Sequence, residues 1–315
     1  MNRVIEKINN AKSIAVFPHI NEDGDALGTC FAFAEVMRRL GKEAVVYVND
    51  IPEKRLEFMG SDYVVYDEDK TYSYDLCACL DCGDLQRIGR RIKLFNEINN
   101  SINIDHHATN TNFADANYVC GGASAAAEVL YCVFEEMGIT LEKREAEHLY
   151  TAICSDTGSF KYSSTSPKTM RIAAKLMEYG FNFSEISRRL FDCRSYDAAM
   201  MCAEVTMGMK SYENGKITIV TVDDSIYEKY GIDVKDAPNF VDIPRCIEGA
   251  EAAACIKHQN GTIRVNLRSN GNADVSKTAL SFGGGGHSRA AGCNIDASSL
   301  EEAEKIIADA LRKVI

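Results

Sequence analysis

Long apolar runs are missing from this 315-residue chain: none approaches the roughly 20 consecutive residues that a transmembrane helix needs. The opening Met1-Asn2-Arg3-Val4-Ile5-Glu6-Lys7 lacks a secretion signal's hydrophobic segment, so a cytoplasmic protein with no membrane partner is expected. Internal repeats and low-complexity tracts are absent as well. With 46% hydrophobic and 26% charged residues the composition is that of a folded soluble protein, long enough for two domains with their own cores. Basic residues are in short supply, 35 Lys and Arg against 46 Asp and Glu, for a net charge of −11. Non-specific binding of a duplex requires a broad basic surface that releases counterions, which tells against a long duplex nucleic acid as the main partner. A short anion needs only a few local cations and remains open.

Cysteine is not scarce. Most of the 12 sit inside apolar segments, as Cys30, Cys132, Cys154 and Cys255 do, where they behave as small hydrophobes in a reducing compartment. Cys79-Leu80-Asp81-Cys82 matches Cys-x-x-Cys in form. Strand alternation predicts its two thiols on opposite faces, and no second pair completes a zinc site.

The first half alternates strand-like and helix-like segments: strands over 13–17, 44–48, 76–80 and 102–104, and a helix over 26–40. This pattern predicts a parallel sheet with crossover helices. Residues 123–137 and 143–154 read as helices, and the pattern stays helical from Pro167 to about Lys210, with a break at Gly180-Phe181-Asn182 and Ser184 as N-cap for 185–191. A β-rich region begins after Asn214-Gly215, with strands over 217–222, 252–256 and 262–267. Asn260-Gly261 signals a hairpin between the last two. A final helix spans 300–314.

Four acidic and histidine clusters stand where strands are expected to end: His19-x-x-x-Asp23-x-Asp25, Asp81, Asp105-His106-His107 and Asp156. Strand ends of an open α/β sheet line one crevice, so distant residues can converge there. Taken singly, each cluster has a plainer reading: Asp-Gly-Asp as a turn or helix N-cap, Asp81 as the start of a turn, the His-His pair as structural, Asp156 as a cap. Taken together, His19, Asp23, Asp25, Asp81, His106 and Asp156 supply four carboxylates and two imidazoles. Gathered carboxylates repel unless cations neutralise them, and mixed oxygen and nitrogen donors without thiolate suit manganese, iron or magnesium better than structural zinc. Two divalent ions are expected, with manganese favoured and magnesium the alternative.

These residues resemble the DHH phosphoesterases. His19-Ile20-Asn21-Glu22-Asp23-Gly24-Asp25-Ala26 is similar to the family's first motif, Leu80-Asp81-Cys82-Gly83-Asp84 to its second, Asp105-His106-His107 to its third and Ser155-Asp156-Thr157-Gly158 to its fourth. Gly283-Gly284-Gly285-Gly286-His287 resembles the glycine-rich signature of the associated C-terminal domain. Glu22 departs from the pattern, standing where many members carry proline. The resemblance implies an α/β fold in which an N-terminal parallel-sheet catalytic domain (1–185) is joined by a helical connector (186–212) to a smaller mixed α/β substrate-binding domain (213–315). It implies one metal on His19, Asp23 and Asp81, and a second on Asp25, Asp81, His106 and Asp156, with Asp81 bridging. His107 would face the substrate phosphate, as proton donor or phosphate ligand, and Asp105 would orient the pair; Asp84 receives no role.

In the C-terminal domain, Gly284, Gly285 and Gly286 can approach a phosphate closely and offer backbone N–H donors, the plainer reading being a flexible loop. His287 and Arg268-Ser269 add neighbouring polar groups, while Arg289 reads as a surface charge. The chain has neither the membrane helices of cyclic-dinucleotide phosphodiesterases nor the extra module of single-strand exonucleases. The resemblance is therefore to the compact nanoRNase/pAp phosphatase type, which implies hydrolysis of very short oligoribonucleotides to 5′-mononucleotides and removal of the 3′-phosphate of adenosine 3′,5′-bisphosphate. Expected partners are these substrates, with room for a homodimer. A dinucleotide-selective phosphodiesterase and a nucleotide-sensing module without turnover are the alternatives.

Overall fold

In the computed structural model, residues 1–259 and 261–315 are described, and they form two compact units, Met1–Cys193 and Arg194–Ile315. The first contains strands β1 (Ser13–Phe17), β2 (Glu43–Val48), β3 (Val64–Val65), β4 (Leu76–Leu80), β5 (Ser101–Asp105) and β6 (Ala116–Val119). Its helices are α1 (Asn2–Asn10), α2 (Gly24–Arg39), α3 (Ile92–Glu97), α4 (Ala126–Glu136), α5 (Lys143–Asp156), α6 (Pro167–Met177) and α7 (Phe183–Ser187). The strands lie in the order β3-β2-β1-β4-β5-β6, and every neighbouring pair is parallel. β4 and β5 are buried throughout, and β1 is buried from Ile14 onward, as strands covered on both faces must be. The direction of winding reverses between β1 and β4, which pair from Ile14↔Leu76 to Phe17↔Cys79. A doubly wound sheet opens its ligand crevice at that reversal.

α2 is buried along most of its length and lies close against α5. Two glycines one helical turn apart make this possible. A Cβ on Gly24 would come 2.5 Å from Ser155 Oγ, and one on Gly28 would come 2.7 Å from the His148 carbonyl and 2.9 Å from Ala152 Cβ. The glycine of Asp23-Gly24-Asp25 therefore brings the start of α2 against the end of α5, where Asp156 sits.

Several sequence expectations need correction. Asp156 ends no strand: it is the last residue of α5, because the helical segment runs two residues beyond its expected limit of 154. Cys79 and Cys82 do not point to opposite faces but share one hydrophobic cluster, since Asp81 between them takes φ +58 and breaks the strand alternation. Asn182, not Ser184, caps α7, accepting from the Glu185 N–H at 3.3 Å. A π-helical turn, Arg188–Asp192, follows α7. The helical pattern expected to about Lys210 ends at Met207, and Lys210 opens a strand.

The second unit is a mixed sheet of β7 (Lys210–Tyr212), β8 (Ile217–Val222), β9 (Ala252–Gln259), β10 (Thr262–Ser269), β11 (Gly285–His287) and β12 (Ala290–Ile295). Their order is β11-β12-β10-β9-β8-β7, and only β8 and β9 pair in parallel. Its helices are α8 (Tyr196–Met207), α9 (Ser225–Tyr230), α10 (Asp242–Arg245), α11 (Val275–Ser281) and α12 (Leu300–Leu311). One face, through Ile219, Ala254, Val265 and Leu267, packs on Val275 and Ala279 of α11 and on Ile307 and Leu311 of α12. β9 and β10 pair antiparallel from Gln259↔Thr262 outward, as the hairpin signal predicts, although Asn260 lies outside the described residues. Residues 186–212 fall on both sides of the division at 193/194, and Met201, Cys202 and Val205 of α8 join the second unit's core.

Gly28→Ala is expected to destabilise the protein by about 1–3 kcal/mol in denaturant unfolding, since the added methyl meets the His148 carbonyl, whereas helix propensity alone favours alanine by roughly 1 kcal/mol. A variant as stable as its parent would disprove the close α2–α5 crossing.

Candidate metal centre

His19 follows β1, Asp81 follows β4 and His106 follows β5, so three side chains leave adjacent strand ends at the winding reversal. Asp81 stays in register for one more residue, its N–H donating to the Ile104 carbonyl at 3.0 Å. Its left-handed φ is a conformation that aspartate tolerates better than most residues. Asp81 is 2% exposed, and its carboxylate lies between two imidazoles, with Oδ2 3.5 Å from His19 Nε2 and Oδ1 3.5 Å from His106 Nε2. Oδ1 accepts no hydrogen bond. A buried carboxylate oxygen without a donor is expensive, and a cation is the group that satisfies it.

Both imidazoles turn the same way. His19 Nδ1 faces the Ile20 carbonyl at 2.8 Å and His106 Nδ1 faces the Ala123 carbonyl at 3.2 Å, which leaves each Nε2 directed at carboxylates. Backbone carbonyls fix metal-ligating histidines in this manner. His106 Nε2 also lies 3.8 Å from Asp25 Oδ2 and 3.6 Å from Asp156 Oδ2, and His19 Nε2 lies 3.7 Å from Asp23 Oδ2. Donor atoms converge within 4.8 Å in three overlapping groups: His19, Asp23 and Asp81; Asp25, His106 and Asp156; Asp81, His106 and His107.

The N-cap reading of Asp-Gly-Asp holds, and it does not compete with the candidate site. Asp23 Oδ1 caps α2 through the Asp25 and Ala26 N–H groups, both at 3.0 Å, while Oδ2 faces His19. Asp25 accepts from Thr29 Oγ1 at 3.0 Å and from the Ala126 and Ala127 N–H groups at 2.6 and 3.1 Å, which places it at the N-terminus of α4. Positive helix ends thus hold two of the four carboxylates.

Protonation equilibria record how crowded the site is. Burial, joined by the charges of Asp81, Asp156 and Asp23, pushes Asp25 well above the usual carboxylate range. Asp156 rises to about 6 for the same reason, burial first, with His106 opposing. Burial also raises Asp81, against the pull of His19. Asp23 falls to about 2, because His19 and its two N–H donors outweigh burial. His19 rises to about 10: burial disfavours its charge, but Asp23 and Asp81 outweigh that. In the metal-free protein a proton on His19 does part of the work that a cation would do, and metal binding would displace it.

Asp105, the last residue of β5 and fully buried, accepts from His107 Nδ1 at 2.8 Å and from Asn110 Nδ2 at 2.5 Å. Asn110 reaches on to Asn103 Oδ1 at 2.8 Å. The His107 side chain is 41% exposed against 6% for His19 and 16% for His106, so it is the imidazole open to a ligand.

Residues 13–153 match the model of the DHH family, N-terminal domain, and residues 214–313 match the DHHA1 domain. The chain carries a DHH domain followed by a DHHA1 domain. Among curated relatives, the bifunctional oligoribonuclease and PAP phosphatase NrnA of Thermus thermophilus is 29% identical over 303 residues, covering 95% of this chain and 89% of the relative. The NrnA of Bacillus subtilis is 28% identical over 309 residues, covering 97% and 96%. The crystal structure of an exopolyphosphatase-related protein from Bacteroides fragilis superposes with a TM-score of 0.91 at 25% identity, covering 99% of this chain and 95% of that one.

In the DHHA1 domain, Arg268 of β10 and His287 of β11 both stand opposite Ala290 of β12, so they share one sheet face. Ser269 is buried, its hydroxyl makes no hydrogen bond, and its N–H donates to the Arg289 carbonyl at 3.0 Å. The glycine run is not a loose loop, since Gly285 and Gly286 belong to an edge strand paired with β12. A Cβ on Gly284 would strike the Gly292 carbonyl, and one on Gly286 would come 2.5 Å from Ala291 Cα, whereas Gly285 has open space around it. Sheet packing therefore accounts for two of these glycines.

Sequence reasoning missed Asn103 and Asn110, although an amide three residues after a His-His pair is a usable local signal. It also left Asp84 without a role; Asp84 Oδ1 caps the following turn through the Arg87 N–H at 3.1 Å. Glu22, at the family's proline position, is buried and accepts from the Asn49 N–H at 3.4 Å.

With divalent ions chelated, Asp156 keeps its proton in the folded state at pH values where the unfolded chain has released it. Stability contributed by this group is therefore lost as pH rises from the usual aspartate range to about 6. Urea unfolding of the wild type is expected to lose stability over that window relative to Asp156→Asn; parallel profiles would refute the assignment.

Proposed function

We propose that this protein is a two-metal phosphoesterase that hydrolyses very short oligoribonucleotides to 5′-mononucleotides and removes the 3′-phosphate of adenosine 3′,5′-bisphosphate. The observation that carries the reading is Asp81: a buried carboxylate with one oxygen toward each of two imidazoles, one of those oxygens without a hydrogen bond, at the reversal of a DHH-family sheet. The names and coverage of the two NrnA relatives support the substrate class.

His19, Asp23 and Asp81 would hold one divalent ion and Asp25, Asp81, His106 and Asp156 the other; the oxygen-rich donor set with imidazole and no thiolate favours manganese, with magnesium the alternative. When bound, such ions polarise phosphoryl oxygens and lower the pKa of water. Asp105 engages His107 Nδ1, which leaves Nε2 to donate to a phosphate oxygen or to the leaving group. Asn110 braces Asp105 in that role. In the DHHA1 domain, Arg268, Ser269, Gly284, Gly285, Gly286 and His287 would hold the nucleotide, Arg268 and His287 contributing from one face. A net charge of −11 favours short substrates over long ones. All 12 cysteines are free, which fits a cytoplasmic location.

Purified protein with manganese is expected to release 5′-mononucleotides from a diribonucleotide and phosphate from adenosine 3′,5′-bisphosphate. Asp81→Asn should lower kcat/KM by more than about 100-fold and weaken manganese binding in calorimetry. Near-full activity with metal retained in that variant would refute the bridging role, and activity confined to dinucleotides would favour a dinucleotide-selective phosphodiesterase.

A further inference from the structure

The second face of the DHHA1 sheet is only half covered. Over β8 and β9, Val220, Val222 and Cys255 pack under Met201 and Val205 of α8 and under Phe240 and Val241. The same face continues onto β10, β12 and β11, where pairing aligns three rows: Lys257, Arg264 and Asn294; Asn266, Gly292 and Gly285; Arg268, Ala290 and His287. The intervening residues Val265, Leu267, Ala291 and Cys293 point to the buried side. Arg264, Asn294 and His287 are exposed, and Lys257, Asn266 and Arg268 are half-buried.

Composition and spacing give this half-face a direction. Side chains on one face of a strand repeat about every 7 Å, so Arg264 and Arg268 project from backbone sites about 14 Å apart with Asn266 midway. Beside this ridge, between Asn294 and His287, Ala290 and Gly292 of β12 and Gly285 of β11 form a low floor against which a sugar or base can lie. Lys257 stands at the margin, its Nζ 5.4 Å from the Phe240 ring. In a chain of net charge −11, the two arginines and the lysine of these rows form a local cationic strip, with the His287 imidazole beside Arg268. The strip is short. Asp296 is exposed two residues past Asn294, and the hollow beyond is lined by Asp223, Asp296 and Glu301 among others.

We propose that this half-face is an oligonucleotide track. On a 5′-phosphorylated chain, Arg268 and His287 engage one phosphate, Asn266 hydrogen-bonds the next, and Arg264 with Lys257 forms a further subsite for the third phosphate, which a 5′-phosphorylated trinucleotide has and a 5′-phosphorylated dinucleotide lacks. Asp296 and its acidic neighbours repel a longer chain, which sets a ceiling on substrate length. The inference rests on the oligoribonuclease reading above and extends it to residues which that reading does not use.

The test is kinetics of the manganese-loaded full chain on adenosine 3′,5′-bisphosphate and on 5′-phosphorylated di- to pentaribonucleotides, with Arg264→Ala, Arg264→Glu and Asp296→Lys. The trinucleotide-to-dinucleotide ratio of kcat/KM should fall about tenfold in Arg264→Ala, mainly through KM, and further in Arg264→Glu. The log–log salt dependence of trinucleotide binding should become shallower by roughly 0.7, the loss of one phosphate contact, which a merely structural residue would not produce. Asp296→Lys should raise kcat/KM on tetranucleotides. An unchanged length ratio in both Arg264 variants, with active wild type, would overturn the subsite and leave the oligoribonuclease reading standing. If the wild type cleaves none of these substrates, that reading fails, and the subsite is then judged by fluorescence anisotropy of a labelled trinucleotide: weaker binding to Arg264→Glu upholds it, and equal binding overturns it.

Discussion

Four carboxylates gathered around one buried point repel one another, and the first unit is organised around that repulsion. Asp23 and Asp25 are held by backbone N–H groups at the starts of α2 and α4, where helix dipoles favour negative charge. His19 and His106 bring imidazole nitrogens to within 3.5 Å of the two Asp81 oxygens. These devices do not complete the neutralisation. Asp156 sits at the C-terminal end of α5, the unfavourable end for a carboxylate, and both it and Asp25 are pushed toward their protonated forms. On the proposed reading, divalent cations would complete what the protein's own donors begin, so the crowding of the carboxylate cluster and its proposed function are one property.

The sheet places this constraint at the only kind of position where a doubly wound fold opens a crevice. β1 and β4 are adjacent but far apart in sequence, and the helices that follow them leave on different routes, so His19 and Asp81 meet across the reversal. Asp81 gains its central position by leaving the extended conformation one residue past β4, a turn that also moves Cys82 to the same side as Cys79. α2 and α5 close the site from one side because Gly24 and Gly28 remove the side chains that would hold them apart. A motif glycine between two candidate metal ligands thus acts through helix packing and not through loop freedom.

The second unit solves a different problem. Its sheet buries the centre of one face under α11 and α12, and leaves part of the other polar, with long cationic side chains on β10 beside a floor of glycine and alanine on β12. Local charge pattern, not net charge, governs what such a surface attracts. The glycine run combines both demands: Gly284 and Gly286 admit the neighbouring strand, and Gly285 keeps the outer surface low.

Much of this was legible in the sequence, and the exceptions share a cause. Strands such as β4 and β8 were plain because a strand covered on both faces is a continuous apolar run, and the six clustered donors were plain because carboxylate and imidazole in that order suggest few other uses. β3, β6, β7, β11 and β12 were missed, being short, exposed or interrupted by small and polar residues. Asp156 was expected at a strand end and stands at a helix end, Asn110 was overlooked, and the thiols of Cys79 and Cys82 were assigned to opposite faces. Each of those errors concerns where a side chain ends up after the backbone turns or a helix docks. By itself the sequence determined the long, strongly patterned elements and the residue types of the clustered donors, because local propensity and residue type are properties of short segments. Only the tertiary structure decided the strand order, the α2–α5 crossing and the registers that align Arg264, Asn266 and Arg268 with their neighbours, because these follow from packing between segments that no local pattern encodes.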